Sequence, residues 1–189
     1  MILLVSAVRE ELGDLPGKPL GVGPVVVASR LARILARDQP DGVIMIGTAG
    51  SYPDGPRIGE ACVARRVGLS HGVAVMGLGY VPRPPAPIPC DPRLLSRVNL
   101  DPVDVLTVGA ITTDAVLAGR LGDGWQVEHL EAFGAAEACS QAQVPFLAVL
   151  GISNRVGPEA HTQWLAHRSE AQAAAREAIR HLVSTSEGL

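Results

Sequence analysis

The sequence predicts an α/β fold in which helices cover both faces of a largely parallel or mixed β-sheet. Short, continuously apolar segments alternate along the chain with segments of helical periodicity. An apolar segment of four to eight residues between turn signals is typical of a strand that is buried on both faces. The length of 189 residues fits one domain of ordinary size, so we expect a single domain over 1–189.

Six segments are predicted to form the strands of this sheet. They cover 1–6, 42–47, 61–69, 103–111, 125–130 and 145–152. We expect the second strand to end in a tight turn of small residues at Thr48, Ala49 and Gly50. The last strand (PFLAVLGI) is the most apolar of the set and is followed directly by Ser153 and Asn154.

Helical periodicity predicts the covering helices. They span 29–37, 115–121, 131–142 and about 162–184. The three valines at 25–27 have high β-propensity, but we assign them to the first turns of the first helix. Asp114 is expected to cap the second helix. The Gly- and Pro-rich segments 13–23 and 77–92 are predicted to be irregular.

Composition and charge exclude several classes of protein. The 16 basic and 19 acidic residues are mixed along the chain, so no nucleic-acid surface is expected. No apolar run is long enough to span a membrane, and the apolar N-terminus is followed at once by Glu10 and Glu11 rather than by a cleavage signal. Cys62, Cys90 and Cys139 are far apart and predict neither a disulfide framework nor a zinc site. We therefore expect a cytoplasmic protein without a metal or other cofactor.

Four places in the chain carry polar or small residues where a strand ends, which is where ligands bind in such sheets. They are Glu10–Glu11, Thr48–Gly50, Glu128–Glu131 and Ser153–Asn154. Each place also has a purely structural interpretation: an acidic helix start, a tight turn, a helix cap and a turn at a strand end, respectively. The residues alone leave both interpretations open.

Two other patterns are expected to have no catalytic role. Gly21-Val22-Gly23 lacks the third glycine of a dinucleotide fingerprint and the lysine of a phosphate loop, so it predicts a plain turn. The histidines are scattered and lack metal-ligand spacing. We predict that they lie on the surface or in loops, with a cavity position for His129 as the less favoured alternative.

Taken in order, these segments resemble the nucleoside phosphorylase and nucleosidase superfamily along most of the chain. The resemblance rests on AVREEL at 7–12, GVGP at 21–24, IGTAG at 46–50, IGE at 58–60, GAITTD at 109–114, VEHLEAFGAAEAC at 127–139 and ISN at 152–154. It implies a three-layer αβα sandwich around a central twisted mixed sheet. It also implies an enzyme that binds a small-molecule purine nucleoside, cleaves its N-glycosidic bond and forms a homo-oligomer.

On the sugar side, the resemblance implies that Glu11 positions or activates the attacking water. Glu131 would bind the 2′- and 3′-hydroxyls of the ribose, and Leu130 would pack beneath the sugar. Thr48, followed by Ala49 and Gly50, would lie near the sugar and the nucleophile.

On the base side, the resemblance implies that Val116 and Leu117 flank the purine, with Glu128 and Ser153 among the substrate-binding residues. Asn154 would face the N7/O6 edge of the base. A carboxylic acid at this position could protonate N7 of adenine, whereas an amide can only donate a hydrogen bond, for example to the carbonyl oxygen of a 6-oxopurine.

The run 152–157 (ISNRVG) followed by Trp164 resembles the futalosine hydrolase branch of the superfamily. This resemblance implies hydrolysis of futalosine to hypoxanthine and dehypoxanthine futalosine in menaquinone synthesis. Cleavage of methylthioadenosine or adenosylhomocysteine, phosphate-dependent cleavage of a purine nucleoside, and nucleoside binding with weakened catalysis stay open as alternatives. The chain departs from its relatives in a short segment between Glu11 and Gly21, and in carrying Leu150 and Val116 where an arginine and an aromatic residue are common.

Overall fold

A computed structural model describes residues 1–184 of the chain. Its strands are β1 (Ile2–Ser6), β2 (Lys18–Pro19), β3 (Gly42–Ser51), β4 (Ala61–Leu69), β5 (Ile88–Pro89), β6 (Pro102–Thr107), β7 (Val127–His129) and β8 (Phe146–Arg155). Its helices are α1 (Arg9–Leu12), α2 (Pro24–Asp38), α3 (Gly72–Val75), α4 (Pro92–Leu95), α5 (Ala115–Leu121), α6 (Ala132–Ala142) and α7 (Ala160–Ser184).

The strands form one mixed sheet that curls back on itself. The order is β2-β1-β3-β7-β6-β4-β5, and β8 pairs with both β3 and β4. Strand β3 runs parallel to β1 and β8, while its last residues pair antiparallel with β7. Because β8 also pairs with β4, β4 with β6 and β6 with β7, the strands β3, β8, β4, β6 and β7 close into a ring. The predicted mixed sheet is confirmed.

Helices pack against this sheet as the predicted fold requires. Helix α7 packs along β8 and also contacts β3 and β4, while α2 and α6 pack against each other and α6 contacts β8. The approach of α7 is close at Gly151, where a Cβ atom would lie 1.8 Å from the carbonyl oxygen of Ala171. Helix α2 starts at Pro24 and buries Val27, so the assignment of 25–27 to a helix is confirmed.

Continuous burial explains why the two central strands form where they do. In both β3 and β8, every residue but one is buried. The strands need apolar side chains on both faces because α7 contacts both of them and α6 contacts both of them as well. Their apolar side chains belong to a single core cluster that also includes Leu31 and Leu35 of α2.

Three predicted strand boundaries are wrong. Strand β3 continues through 48–50 to Ser51 because β7 and β8 both pair with its last residues. Strand β8 continues past the predicted end at Ile152 to Arg155, so Ser153 and Asn154 lie in the strand and not in a turn. Strand β6 ends at Thr107, and the polypeptide then leaves the sheet before α5. In the first two cases small or polar residues indicated a turn, although their backbone stays in the sheet.

Candidate active site

All four predicted places line one cavity of about 190 Å³. It lies where the last residues of β3, β7 and β8 meet α1 and the start of α7. The wall consists of Ala7, Val8, Glu11, Val22, Thr48, Ala49, Gly50, Ile111, Glu128, His129, Leu130, Glu131, Ser153, Asn154, Ala160 and Trp164. The side chain of Glu10 is exposed, so only the second glutamate of the first pair contributes.

Glu11 is held in the cavity by backbone donors from two elements. Its Oε2 accepts hydrogen bonds from the N–H groups of Ala7 at 3.1 Å and Val8 at 3.2 Å, and Oε1 accepts from Thr48 N–H at 3.0 Å. The residue is 7% exposed. Burial raises the pKa of this carboxyl group, and the backbone hydrogen bonds oppose that rise. The carboxylate is therefore rigid and a stronger base than an exposed glutamate.

Glu131 connects the start of α6 to the start of α2. Its Oε1 accepts a hydrogen bond of 2.9 Å from the backbone N–H of Gly23, and the residue is 4% exposed. Gly23 has φ of 95°, a conformation that favours glycine, and it precedes the first residue of α2. Burial raises the pKa of the Glu131 carboxyl group. The GVG segment therefore supports the site through its backbone, a role that the prediction of a plain turn missed.

His129 also lies on the cavity wall, and the prediction of a surface or loop position is wrong. The residue is 3% exposed. Its Nδ1 accepts hydrogen bonds from the backbone N–H groups of Glu131 at 3.1 Å and Ala132 at 3.0 Å, so the ring proton is on Nε2. Burial lowers the pKa of His129 to about 4. The ring is therefore neutral near pH 7. The distance of 3.5 Å between His129 Nδ1 and Glu131 Oε2 does not represent an ion pair.

A signal for His129 is present in the sequence. It is the third residue of the short strand β7, all of which is buried, and it lies between two glutamates of the cavity. The strand predicted over 125–130 contains His129, so the sequence already placed this residue in the sheet and not in a loop.

Glu128 lies on the cavity wall and accepts hydrogen bonds from two other segments of the chain. Its Oε2 accepts hydrogen bonds from Tyr52 Oη at 2.9 Å and Thr112 Oγ1 at 2.7 Å, and its Oε1 accepts from Thr112 N–H at 3.1 Å. Burial raises the pKa of both the Glu128 carboxyl group and the Tyr52 hydroxyl group. These bonds attach the loop after β6 to β7, and that loop places Ile111 on the cavity wall.

Asn154 lies across β3 from Glu128, since both residues pair with Gly50. A Cβ atom on Gly50 would lie 2.9 Å from Asn154 Nδ2, so glycine leaves the space for this amide. The amide is oriented by two contacts: Nδ2 donates to the carbonyl oxygen of Arg155 at 3.0 Å, and Ser153 Oγ donates to Oδ1 at 2.9 Å. One Nδ2 proton is left to donate to a ligand.

Trp164 of α7 closes another side of the cavity. Its Nε1 donates a hydrogen bond of 3.3 Å to Thr48 Oγ1. The guanidinium group of Arg168 lies 4.9 Å from the centre of the indole ring, on the same helix. The indole is thereby fixed between α7 and β3.

Val116 and Leu117 lie outside the cavity wall. Asp114 caps α5 by accepting a hydrogen bond from Leu117 N–H, as predicted. The helix then turns Val116 to solvent, with 58% exposure, and packs Leu117 against a small cluster that includes Tyr52 and Leu121. We therefore assign neither residue to this site.

The charged residues of the cavity wall are acidic. The wall carries three glutamates, and no lysine or arginine is among the described residues that form it. Within residues 1–184, no group of three or more histidine, cysteine, aspartate or glutamate side chains is arranged to hold a metal ion. In the same range, no helix combines the length and the apolar character that crossing a membrane requires.

Comparison with known proteins identifies the class to which this fold and site belong. The sequence profile of the phosphorylase superfamily matches residues 15–186, and the chain is a member of that family. The predicted family is confirmed.

Individual relatives narrow the comparison. A futalosine hydrolase from Thermus thermophilus is 28% identical over 229 aligned residues, which cover 100% of this chain and 97% of the relative. A 5′-methylthioadenosine/S-adenosylhomocysteine nucleosidase from an Exiguobacterium species is 31% identical over 158 residues, which cover 75% of this chain and 67% of the relative.

Solved structures confirm the fold. The native futalosine hydrolase of Helicobacter pylori superposes with a TM-score of 0.84 at 15% identity, covering 97% of each chain. The nucleosidase of Neisseria meningitidis in complex with methylthio-immucillin-A gives a TM-score of 0.83 at 18% identity, covering 97% of this chain and 98% of that chain. The predicted α/β fold with a central mixed sheet is that of these enzymes.

Proposed function

We propose that this protein hydrolyses the N-glycosidic bond of a 6-oxopurine nucleoside, with futalosine as the substrate, in menaquinone synthesis. The products are hypoxanthine and dehypoxanthine futalosine. The observation that carries the proposal is the Asn154 amide, which is fixed in the cavity opposite Glu128 with one N–H free. An amide donates a hydrogen bond to the N7/O6 edge of hypoxanthine but cannot supply a proton to N7 of adenine.

The sugar side of the proposed reaction uses the two buried carboxylates. Glycosidic cleavage passes through an oxocarbenium-like state in which positive charge develops on the ribose. Glu131 binds the ribose hydroxyls and stabilises that charge, because a fixed and buried carboxylate interacts strongly with a nearby positive charge. Glu11 accepts the proton of the attacking water.

The charge of the cavity favours water over phosphate as the nucleophile. A phosphate dianion needs cationic or backbone donors, usually arginines. The described wall instead presents Glu11, Glu128 and Glu131 without a lysine or arginine. Placing a dianion among these carboxylates is unfavourable because like charges repel more strongly in a partly buried site than in bulk water, whereas water carries no charge.

The relatives support hydrolysis and leave two base specificities for experiment. Both futalosine hydrolases and methylthioadenosine/adenosylhomocysteine nucleosidases are similar to this chain. Adenine is a poor leaving group unless it is protonated, so cleavage of an adenine nucleoside gains from an acid near N7. Asn154 supplies none, which favours the futalosine substrate.

The test is release of free base from futalosine, inosine, methylthioadenosine and adenosylhomocysteine, each with and without inorganic phosphate. We expect hypoxanthine from futalosine at a rate that does not depend on phosphate, and much slower release of adenine. Rates that require phosphate would refute hydrolysis. Faster release of adenine than of hypoxanthine would refute the assigned substrate, and no release from any nucleoside would favour a binding protein.

A further inference from the structure

We infer that His129 is a further catalytic residue of the proposed hydrolysis, and that it donates a hydrogen bond from Nε2–H to the attacking water. The inference rests on the proposed function for the nucleophile, but not on the identity of the purine. The first observation is the tautomer. Two backbone N–H groups, those of Glu131 and Ala132, occupy Nδ1, so Nε2 carries the proton.

The second observation is that Nε2 faces the cavity without a protein partner. Among residues 1–184, the hydrogen bonds of the His129 side chain are the two at Nδ1. The described residues also contain no fully buried side-chain nitrogen or oxygen that lacks a partner. Nε2 is therefore open to the cavity that the ring lines, although the residue as a whole is 3% exposed. A buried polar group with an open donor is ready to bind a ligand or a water molecule.

The third observation is the position of Nε2 beside Glu11. A Cβ atom on Gly47 of β3 would lie 3.1 Å from His129 Nε2 and 3.2 Å from Glu11 Oε1, so the two groups approach the same point beside β3. One group is a donor and the other is the acceptor that takes the water proton. A water molecule in contact with both accepts from Nε2–H, donates to Oε1 and keeps a lone pair for the sugar.

The chemical step balances with these groups. The oxygen of the water forms a bond to C1′ while the C1′–N9 bond breaks, and the electron pair of that bond leaves with the purine. The water proton passes to Glu11 and then to solvent, and the purine anion takes up a proton from solvent. His129 keeps its own proton throughout, so its role is to hold the water and not to exchange a proton with it.

Two substitutions separate this role from a structural one. His129→Asn keeps an acceptor near the Nδ1 position for the backbone of Glu131 and Ala132 but removes the donor at Nε2. His129→Gln keeps a donor near the Nε2 position. His71→Asn is the matched control, because His71 is exposed and lies outside the cavity wall.

The measurement is kcat and KM for the best of futalosine, inosine and methylthioadenosine, together with the Kd of the free base. We expect His129→Asn to lower kcat by roughly 10- to 100-fold, the worth of one hydrogen bond to a charged or charge-developing group. KM and the Kd of the base should stay within about threefold of the wild-type values, since the water contacts neither the base nor the ribose hydroxyls. His129→Gln should recover most of the lost kcat.

Three results would overturn the inference. The first is an unchanged kcat in His129→Asn. The second is a fall in kcat with an equal loss of base binding, which indicates a structural role. The third is no rescue by His129→Gln. Because the best of three nucleosides is used, a wrong assignment of the purine leaves this test intact, whereas a wild-type protein that cleaves none of them overturns the proposed function and the role of His129 together.

Discussion

Replacement of Glu131 by glutamine tests the sugar side of the site most directly. Glu131 is 4% exposed, and its Oε1 accepts a hydrogen bond of 2.9 Å from Gly23 N–H, a residue 108 positions away. Glutamine has nearly the same volume, and its carbonyl oxygen can accept the same bond. We therefore expect Glu131→Gln to fold normally and to change only the charge and one hydrogen-bond acceptor.

The size of the effect follows from what the carboxylate is proposed to bind. A hydrogen bond to a charged group contributes about 1.5–3 kcal/mol. Glutamine leaves one carbonyl oxygen, which the Gly23 bond occupies in part, and removes the negative charge next to the developing oxocarbenium. A loss of about 3 kcal/mol of transition-state stabilisation corresponds to a decrease of roughly 100-fold in kcat/KM.

The assay is continuous release of free base, with the wild-type protein and Glu137→Gln measured in parallel. Glu137 is on the same helix, where it accepts a hydrogen bond from Gln141, and it lies outside the cavity wall. The control should retain wild-type kcat/KM. A value of kcat/KM for Glu131→Gln within threefold of wild type, at an unchanged midpoint of thermal unfolding, would remove Glu131 from the sugar site.

Three further predictions follow from the same structure. Asn154→Asp should lower the ratio of kcat/KM for inosine to kcat/KM for adenosine by at least about tenfold, because a protonated aspartic acid can donate a proton to N7 of adenine. An unchanged ratio contradicts the role of Asn154. Activity should fall as pH decreases with a midpoint above the ordinary glutamate pKa of about 4.3, because burial raises the pKa of Glu11 and a protonated base is inactive; a pH–rate profile with its midpoint at or below that value contradicts the base. Gly151→Ala should lower the free energy of unfolding by about 2 kcal/mol or more, since its Cβ would lie 1.8 Å from Ala171 O. The control Gly119→Ala, at an exposed position of α5 with open space at the Cβ position, should be neutral or stabilising in denaturant titrations.

Local pattern was sufficient for most of the fold. Continuous apolar runs predicted the cores of β1, β3 and β8, because a strand buried on both faces needs apolar side chains along its length. Strands β4, β6 and β7 were also predicted, although charged residues interrupt their apolar runs. The one-turn helices and two-residue strands were not predicted, since two to four residues are too few to show a period. The prediction of a turn at 48–50 failed because small residues occur in turns and also in strands where a neighbouring side chain lies close to the backbone, as Asn154 does at Gly50.

Part of the candidate site could be predicted from the sequence, and part of it could not. Placing polar residues after apolar strands brought Glu11, Glu131 and Asn154 into consideration, and the structure brings all three to one cavity. Helical position alone could not show that α5 turns Val116 to solvent, because the direction of a short helix depends on what it packs against.

The sequence by itself determined the fold class, the family and the kinds of residue at the site, because periodicity and strand-end chemistry are properties of neighbouring residues. Only the tertiary structure decided which groups meet. Strand pairing sets Glu128 and Asn154 on either side of Gly50, and the return of the chain brings Gly23 to Glu131. The tertiary structure also places His129 and Glu11 on the wall of the same cavity, with Nε2 and Oε1 near one point beside Gly47. These contacts depend on strand register and helix packing between segments that are far apart in the chain. Local sequence patterns do not determine either of them.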